Sequence, residues 1–306
     1  MSSTQGESPL APAPAGRAGV IHDLGYRHFT GVRHGEGFIA RALFVTGLRN
    51  VFGLGRSGKS KILPFILLGL NLVPALIMVV IMVTLRMDEL PTDYASYAGT
   101  TQILVSVFAA AQAPILFSHD QRHGSIVLYL ARPMHAATYA LMRWCSLAAA
   151  LLVFLVTPIL LLLVGALLVG ADVSTQLGDA GLAALLAVLL AAMLAGISGA
   201  ISSWSTRRGF AVVATIAVLL FGFGVVQVIQ AISSEQGRDK VGEYAGLLSP
   251  YAVYRGLAES LLDVSAGALT PPQGAATIAA YLAVAVLLAV GGLAVTLWRF
   301  RRVAGR

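Results

Sequence analysis

The stretch Trp144-Cys-Ser-Leu-Ala-Ala-Ala-Leu-Leu-Val-Phe-Leu-Val-Thr-Pro-Ile-Leu-Leu-Leu-Leu-Val-Gly-Ala-Leu-Leu-Val169 decides the fold class. It contains no charged side chain. At a rise of about 1.5 Å per residue it is long enough, as a helix, to cross the roughly 30 Å hydrocarbon core of a bilayer. Its one proline, Pro158, is compatible with a membrane helix, where neighbours satisfy the carbonyl that proline frees. Working outward, five more apolar runs of comparable length occur at 62–85, 97–117, 181–203, 210–232 and 276–298. Pro64, Pro74 and Pro114 lie within or near them and are read as kinks. The expected fold is an all-α integral membrane protein with six transmembrane helices.

Composition agrees. The chain is 57% hydrophobic and 11% charged, with a mean hydropathy of +0.81, whereas a soluble domain carries roughly 25% charged residues. Too few charges remain to cover a water-facing surface, which excludes a soluble domain and a free-standing ATPase. Cys145 is the only cysteine, so no intramolecular disulfide or cysteine-based zinc site can form. The net charge of +7 is not a nucleic-acid signature, because the basic residues cluster beside apolar spans and report orientation instead.

Six crossings place successive connections on alternate sides. Seventeen of the 21 lysines and arginines then fall on one side, leaving Arg86, Arg238, Lys240 and Arg255 for the other. The basic side is cytoplasmic by the positive-inside rule, which puts both termini in the cytoplasm. Residues 1–20, rich in Ser, Ala, Pro and Gly without an apolar core, read as a disordered cytoplasmic tail. Residues 21–61 read as a cytoplasmic and interfacial amphipathic segment. Within it Phe38, Val45 and Phe52 recur at sevens beside Arg41 and Arg49, which predicts a helix on the membrane surface. The six-span membrane domain then occupies 62–298, and 299–306 is a basic cytoplasmic tail. Between the fifth and sixth spans, 244–262 is apolar enough to pack as a short helix. Ser249-Pro250, Arg255 and Glu259 interrupt it too often for a seventh span.

Several motifs have ordinary explanations. Gly53-Leu-Gly-Arg-Ser-Gly-Lys-Ser60 matches the spacing of a phosphate-binding loop, but such a loop follows a buried strand within an α/β sheet. Here a helix precedes it and a membrane span follows. A basic juxtamembrane turn facing anionic lipid is the expected role. His119 and His123 have the spacing of a metal pair without a third ligand type nearby, so no metal site is expected. No nucleophile, base and orienting group can be assembled at one membrane depth, so the chain is not expected to be an enzyme.

The six apolar runs contain no Asp, Glu, Lys, Arg or His. Proton-coupled carriers and pumps need intramembrane ionisable groups, so energy for transport has to enter from elsewhere. The strongest polar side chains near the spans are Asn71, Gln102, Gln112, Gln227 and Gln230. The first four are candidates for a translocation path, against the commoner use of such groups in helix-to-helix hydrogen bonds. Ala195, Gly199 and Ser203 would let helices approach closely.

Between the second and third spans lies Ser118-His-Asp-Gln-Arg-His-Gly-Ser-Ile-Val-Leu-Tyr-Leu-Ala-Arg-Pro-Met-His-Ala-Ala-Thr-Tyr139. A short helix capped near Ser125 and stopped before Pro133 is expected, since proline disfavours helix in the residue before it. The segment resembles the first cytoplasmic loop of permease subunits of ABC transporters of the type-2 export superfamily. Asp120, Gly124, Ser125, Leu128, Leu130 and Pro133 fall on that family's pattern, while Ala136 and Ala137 stand where it often has a basic residue. Ile201-Ser-Ser-Trp-Ser-Thr-Arg-Arg208, Leu248-Ser-Pro-Tyr251 and Asp23-Leu-Gly-Tyr-Arg27 with Gly31 and Arg33 also look like segments of such permeases.

The resemblance implies a docking helix for a separate cytoplasmic ABC ATPase, with Asp120, Gly124, Ser125, Leu128, Leu130, Arg132 and Pro133 as the coupling loop. It also implies a dimer with a second or homologous permease in a bacterial cell membrane, and export as the direction. No cofactor is expected in this chain, ATP and Mg belonging to the partner. Two rivals stand beside it: a passive channel or secondary carrier, and a membrane assembly protein that moves no solute.

Overall fold

A computed structural model describes residues 35–55, 58–87, 90–122, 135–205 and 207–304; of 119–122 and 303–304 it describes the backbone alone. The described residues form helices and the turns and loops that join them, with no strand among them. In chain order the helices are α1 (Glu36–Val51), α2 (Lys59–Leu85), α3 (Tyr94–Thr100), α4 (Gln102–Arg122), α5 (Ala136–Leu168) and α6 (Val173–Trp204). They continue with α7 (Arg208–Glu235), α8 (Asp239–Ala245), α9 (Pro250–Leu262) and α10 (Ala275–Ala304). Five of them, α2, α5, α6, α7 and α10, are long and apolar enough to cross a membrane.

Burial sorts these five by position. The long helices α5 and α6 pack on each other, α6 packs tightly on α10, and α4 lies against α5, α6 and α7. By contrast α2 buries one narrow stripe, Leu67, Asn71 and Ala75 at every fourth residue, against α5. Its other faces expose Ile62, Phe65, Ile66, Leu70, Ile77 and Val80. Phe210, Val213, Phe221 and Val228 are exposed along α7 in the same way. Helices apolar all round with half that surface uncovered are unsuited to water and suited to hydrocarbon.

The prolines behave as the sequence suggests, since α2 continues through Pro64 and Pro74, α4 through Pro114 and α5 through Pro158. At Pro74 the repair is visible: the Tyr97 hydroxyl of α3 donates to the Asn71 carbonyl and accepts the Ala75 N–H at 3.2 Å. A side chain from a neighbouring helix thus occupies two backbone groups beside the proline.

Small residues set the closest contacts. A Cβ on Gly196 of α6 would stand 2.4 Å from the Leu288 carbonyl oxygen of α10, and one on Gly292 would stand 2.4 Å from the Gly196 backbone. The two helices therefore touch backbone to backbone. Of the small residues expected to serve this purpose, a Cβ on Gly199 would stand 3.2 Å from the Phe117 ring, and Ala195 and Ser203 are buried. The tightest point is one residue away from that set.

Three features differ from the sequence reading, and a fourth, the buried face of α1, is one that it left open. The run 97–117 is not one helix: it breaks at Thr101, between α3 and α4, and the apolar part of α4 covers only Gln102–Ser118. Gly99, Thr100 and Thr101 are weak helix formers, and the Thr101 hydroxyl bonds back to the Tyr97 carbonyl at 3.2 Å. In α1 the buried stripe is Leu43, Gly47 and Val51, whereas Phe38 and Val45 are exposed. Gly47 sits where α1 crosses α5, and Ser146 donates to the Phe44 carbonyl at 3.0 Å. Arg143, expected in the connection before the third span, lies inside α5 and is 3% exposed, its guanidinium 5.2 Å from the Tyr139 ring. The segment 244–262 divides into the end of α8, a short 3-10 turn and α9, with Ser249 and Pro250 at the start of α9.

The phosphate-loop lookalike follows α1, a helix, and not a strand. Gly53 ends α1 in a left-handed conformation (φ +68°), with Gly53 N–H on Asn50 O and Leu54 N–H on Arg49 O, the bonding of a Schellman helix end. The tail 1–34 and the coupling-loop residues Gly124, Ser125, Leu128, Leu130, Arg132 and Pro133 lie outside the described residues, as does the expected docking helix. Asp120 lies on α4, within its last turn, where only the backbone is described.

Candidate functional site

The break at Thr101 exposes backbone groups that a continuous helix would have paired. Against this break lies α9, a short amphipathic helix that buries Tyr251, Ala252, Val253, Tyr254, Leu257 and Ala258. The Tyr251 hydroxyl donates to the Gln102 carbonyl at 3.1 Å and lies 2.7 Å from Ser106 Oγ. Tyr254 donates to the Ala95 carbonyl at 2.7 Å. Burial pushes the pKa of both phenols up, so they remain donors at any physiological pH.

Arg255 completes the junction. Its Nη2 donates to the Gly99 carbonyl at 2.9 Å and to Gln102 Oε1 at 3.1 Å, and its Nη1 reaches the Gly267 carbonyl at 3.3 Å. The guanidinium also stands 4.7 Å from the centroid of Phe223 on α7. A Cβ on Gly99 would come within 2.9 Å of Arg255 Nε, so the small residue is what admits the cation. One side chain thus ties together the broken α3–α4 pair, α7, α9 and the loop after α9. By sequence Arg255 is one more basic loop residue; what could have marked it is its place in the apolar run 244–262.

Beside this junction a cavity of about 320 Å³ opens between α3, α6 and the end of α9. Asp93, Tyr94, Gln176, Asp179, Leu182 and Leu262 are among its lining residues. Tyr94 donates to Gln176 Oε1 at 2.5 Å, beside the Asp179 carboxylate that also lines the cavity. Its lining thus mixes two carboxylates with apolar side chains.

The four path candidates take different positions. Gln102 belongs to the Arg255 junction. Asn71 is fully buried between α2 and α5, its amide donating to the Phe154 carbonyl at 2.9 Å while its Oδ1 has no partner among the described residues. Gln112 is 1% exposed in the middle of α4, and neither of its amide atoms has a partner among the described residues. Gln227 is half-buried on α7. Gln230, near it, donates to the Gly242 carbonyl at 3.1 Å. The structure therefore does not gather these four into one site. No cluster of three or more potential metal-binding side chains occurs among the described residues.

The class this fold defines is coarse: an all-helical chain whose five long apolar helices are compatible with a multi-pass membrane protein. No protein-family model matches the sequence, and no curated protein matches it.

Proposed function

We propose that this chain is the membrane-spanning permease subunit of an ATP-driven exporter, crossing a bacterial cell membrane six times with both termini in the cytoplasm. The second crossing is made by α3 and α4 together. The observation that carries the proposal is where charge stands: the central turns of every long apolar helix are free of Asp, Glu, Lys, Arg and His, with Arg143 and Asp179 about two turns in from the starts of α5 and α6 and the others nearer the helix ends. Such a chain has no intramembrane group to couple to a proton or ion gradient, and its composition leaves no room for an ATPase domain. A separate cytoplasmic ATPase bound to the 118–139 segment supplies the energy, and a second permease copy completes the path. Alternating access then follows from closure of the ATPase pair. Amphiphilic small molecules, lipid-like compounds or peptides are the substrate classes that suit an exporter of this kind.

The test is native co-purification with crosslinking. In a Cys145→Ser background, cysteines placed at Gln121 or His123 should crosslink to a co-purifying ATPase. Reporters fused after Thr175 and Gly237 should read outside, and after Arg208 inside. Crosslinking from Arg207 alone moves the docking site to the 204–209 turn. A cytoplasmic signal at Gly237 overturns the six-crossing topology.

A further inference from the structure

At the bundle end opposite the Arg255 junction, the last turns of α6 and α10 carry two tryptophans that stack on each other. Trp204 and Trp298 have ring centroids 5.9 Å apart with planes inclined at 24°. An arginine flanks each ring: Arg302 lies 3.9 Å from the Trp298 centroid, and Arg299 lies 5.6 Å from that of Trp204. Each ring of the stacked pair thus has a guanidinium over it, with Trp204 56% and Trp298 45% exposed. Such a cluster is not a core feature, because both indoles are half open and a packed interior has no use for two cations. No carboxylate pairs with Arg299, Arg301 or Arg302 among the described residues, and the Arg299 Nε is buried with no acceptor among them.

We infer that the Trp204–Trp298 stack with Arg299 and Arg302 is a binding site for the headgroup of an anionic phospholipid. Three physical points lead there. Tryptophan is suited to the membrane–water boundary, where its ring lies at headgroup level with one side apolar and the other wet. A guanidinium that meets an indole through its face can still offer its terminal Nη–H groups to a phosphate. Arg207 and Arg208, three and four residues after Trp204, add positive charge, while Phe210, 68% exposed, begins the apolar surface of α7 where acyl chains would lie. That continuity with the lipid-facing surface favours a lipid over an acidic protein partner. The inference rests on the membrane placement of the apolar helices and uses none of the residues assigned to transport or coupling.

The full chain, purified in detergent and titrated with phosphatidylglycerol or phosphatidylcholine, should retain the anionic lipid in native mass spectrometry at least tenfold more strongly. Each juxtamembrane arginine contributes roughly fivefold to attraction for anionic lipid, so Arg299→Gln with Arg302→Gln should abolish most of the preference. Trp298→Leu keeps every charge and removes the stacking surface, and it should weaken retention severalfold. Arg238→Gln, an exposed change at the opposite end, should leave the preference intact. Undiminished phosphatidylglycerol binding by the double arginine variant with native helicity would overturn the site. So would equal retention of the two lipids by the unmodified chain. Displacement of the lipid by millimolar glycerol phosphate would reassign the pocket to free phosphate esters, and binding of an acidic soluble protein in place of lipid would make it a protein-docking patch. Either outcome refutes a lipid site.

Discussion

Replacing Arg255 by methionine removes the cation and keeps a side chain of similar length. Gly99 is buried, so its carbonyl loses a charged donor in a site that water reaches poorly, and Gln102 Oε1 loses its donor as well. Hydrogen bonds to charged groups are worth about 1.5–3 kcal/mol each, and the half-exposed setting argues for the lower figure. The contact with Phe223 adds about 1 kcal/mol. Gly267 is exposed, so water replaces that third bond at little cost. Methionine regains about 1 kcal/mol by packing on Phe223. The net destabilisation is about 3 kcal/mol, which for a chain of this size lowers the melting temperature by on the order of 5 °C or more. Thermal unfolding of the full chain in detergent, followed by circular dichroism and size exclusion, would measure it. Arg255→Lys should recover less than half of the loss, since one ammonium cannot span both acceptors while lying on the ring. A double-mutant cycle with Gln102→Leu should return a coupling of about 1 kcal/mol. If Arg255→Met melts within about a degree of the unmodified protein and the cycle shows no coupling, Arg255 does not hold the α3–α4 break, and the junction is only a surface contact.

Two further perturbations read other parts of the fold. Gly196→Val would drive a side chain into the α10 backbone, which no rotamer change relieves, so a loss of more than about 3 kcal/mol or failure to purify as a single species is expected. Gly178→Ala on the same helix meets nothing within 4 Å and should be neutral or stabilising by up to about 1 kcal/mol; equal stability of the two variants would contradict the backbone contact. Asp172 caps α6, accepting from Ser174 Oγ at 2.6 Å and from the Thr175 N–H and hydroxyl, which holds its pKa near 2 in place of an ordinary 3.8. Because the folded pKa is depressed, the cap stabilises fully above about pH 4 and is lost as pH falls toward about 2. The stability difference between the unmodified chain and Asp172→Ala should therefore shrink across that window, and a difference independent of pH would show that the carboxylate does not act as a cap.

The sequence by itself determined the helical class and the long apolar helices, because apolar length against bilayer thickness is a local property that needs no knowledge of neighbours. It also marked the continuation of the helices through their prolines, the helix at 36–51 and the packed segment around 250–262, each written in local composition. What it could not decide was which face of a helix is buried. In a chain this uniformly apolar, Phe38 and Val45 have the same hydrophobicity as the buried Leu43 and Val51, and only the crossing at Gly47 and Ser146 separates them. The break at Thr101 was equally invisible, because the residues around it are tolerable in a helix and the interruption is stabilised by Arg255, which lies 154 positions further along the chain. The same holds for the cluster of Trp204, Trp298, Arg299 and Arg302, whose members come from two helices almost a hundred residues apart. Cation placement and ring stacking depend on distances of a few ångströms between distant segments, and those distances exist only once α6 and α10 have closed on each other at Gly196 and Gly292.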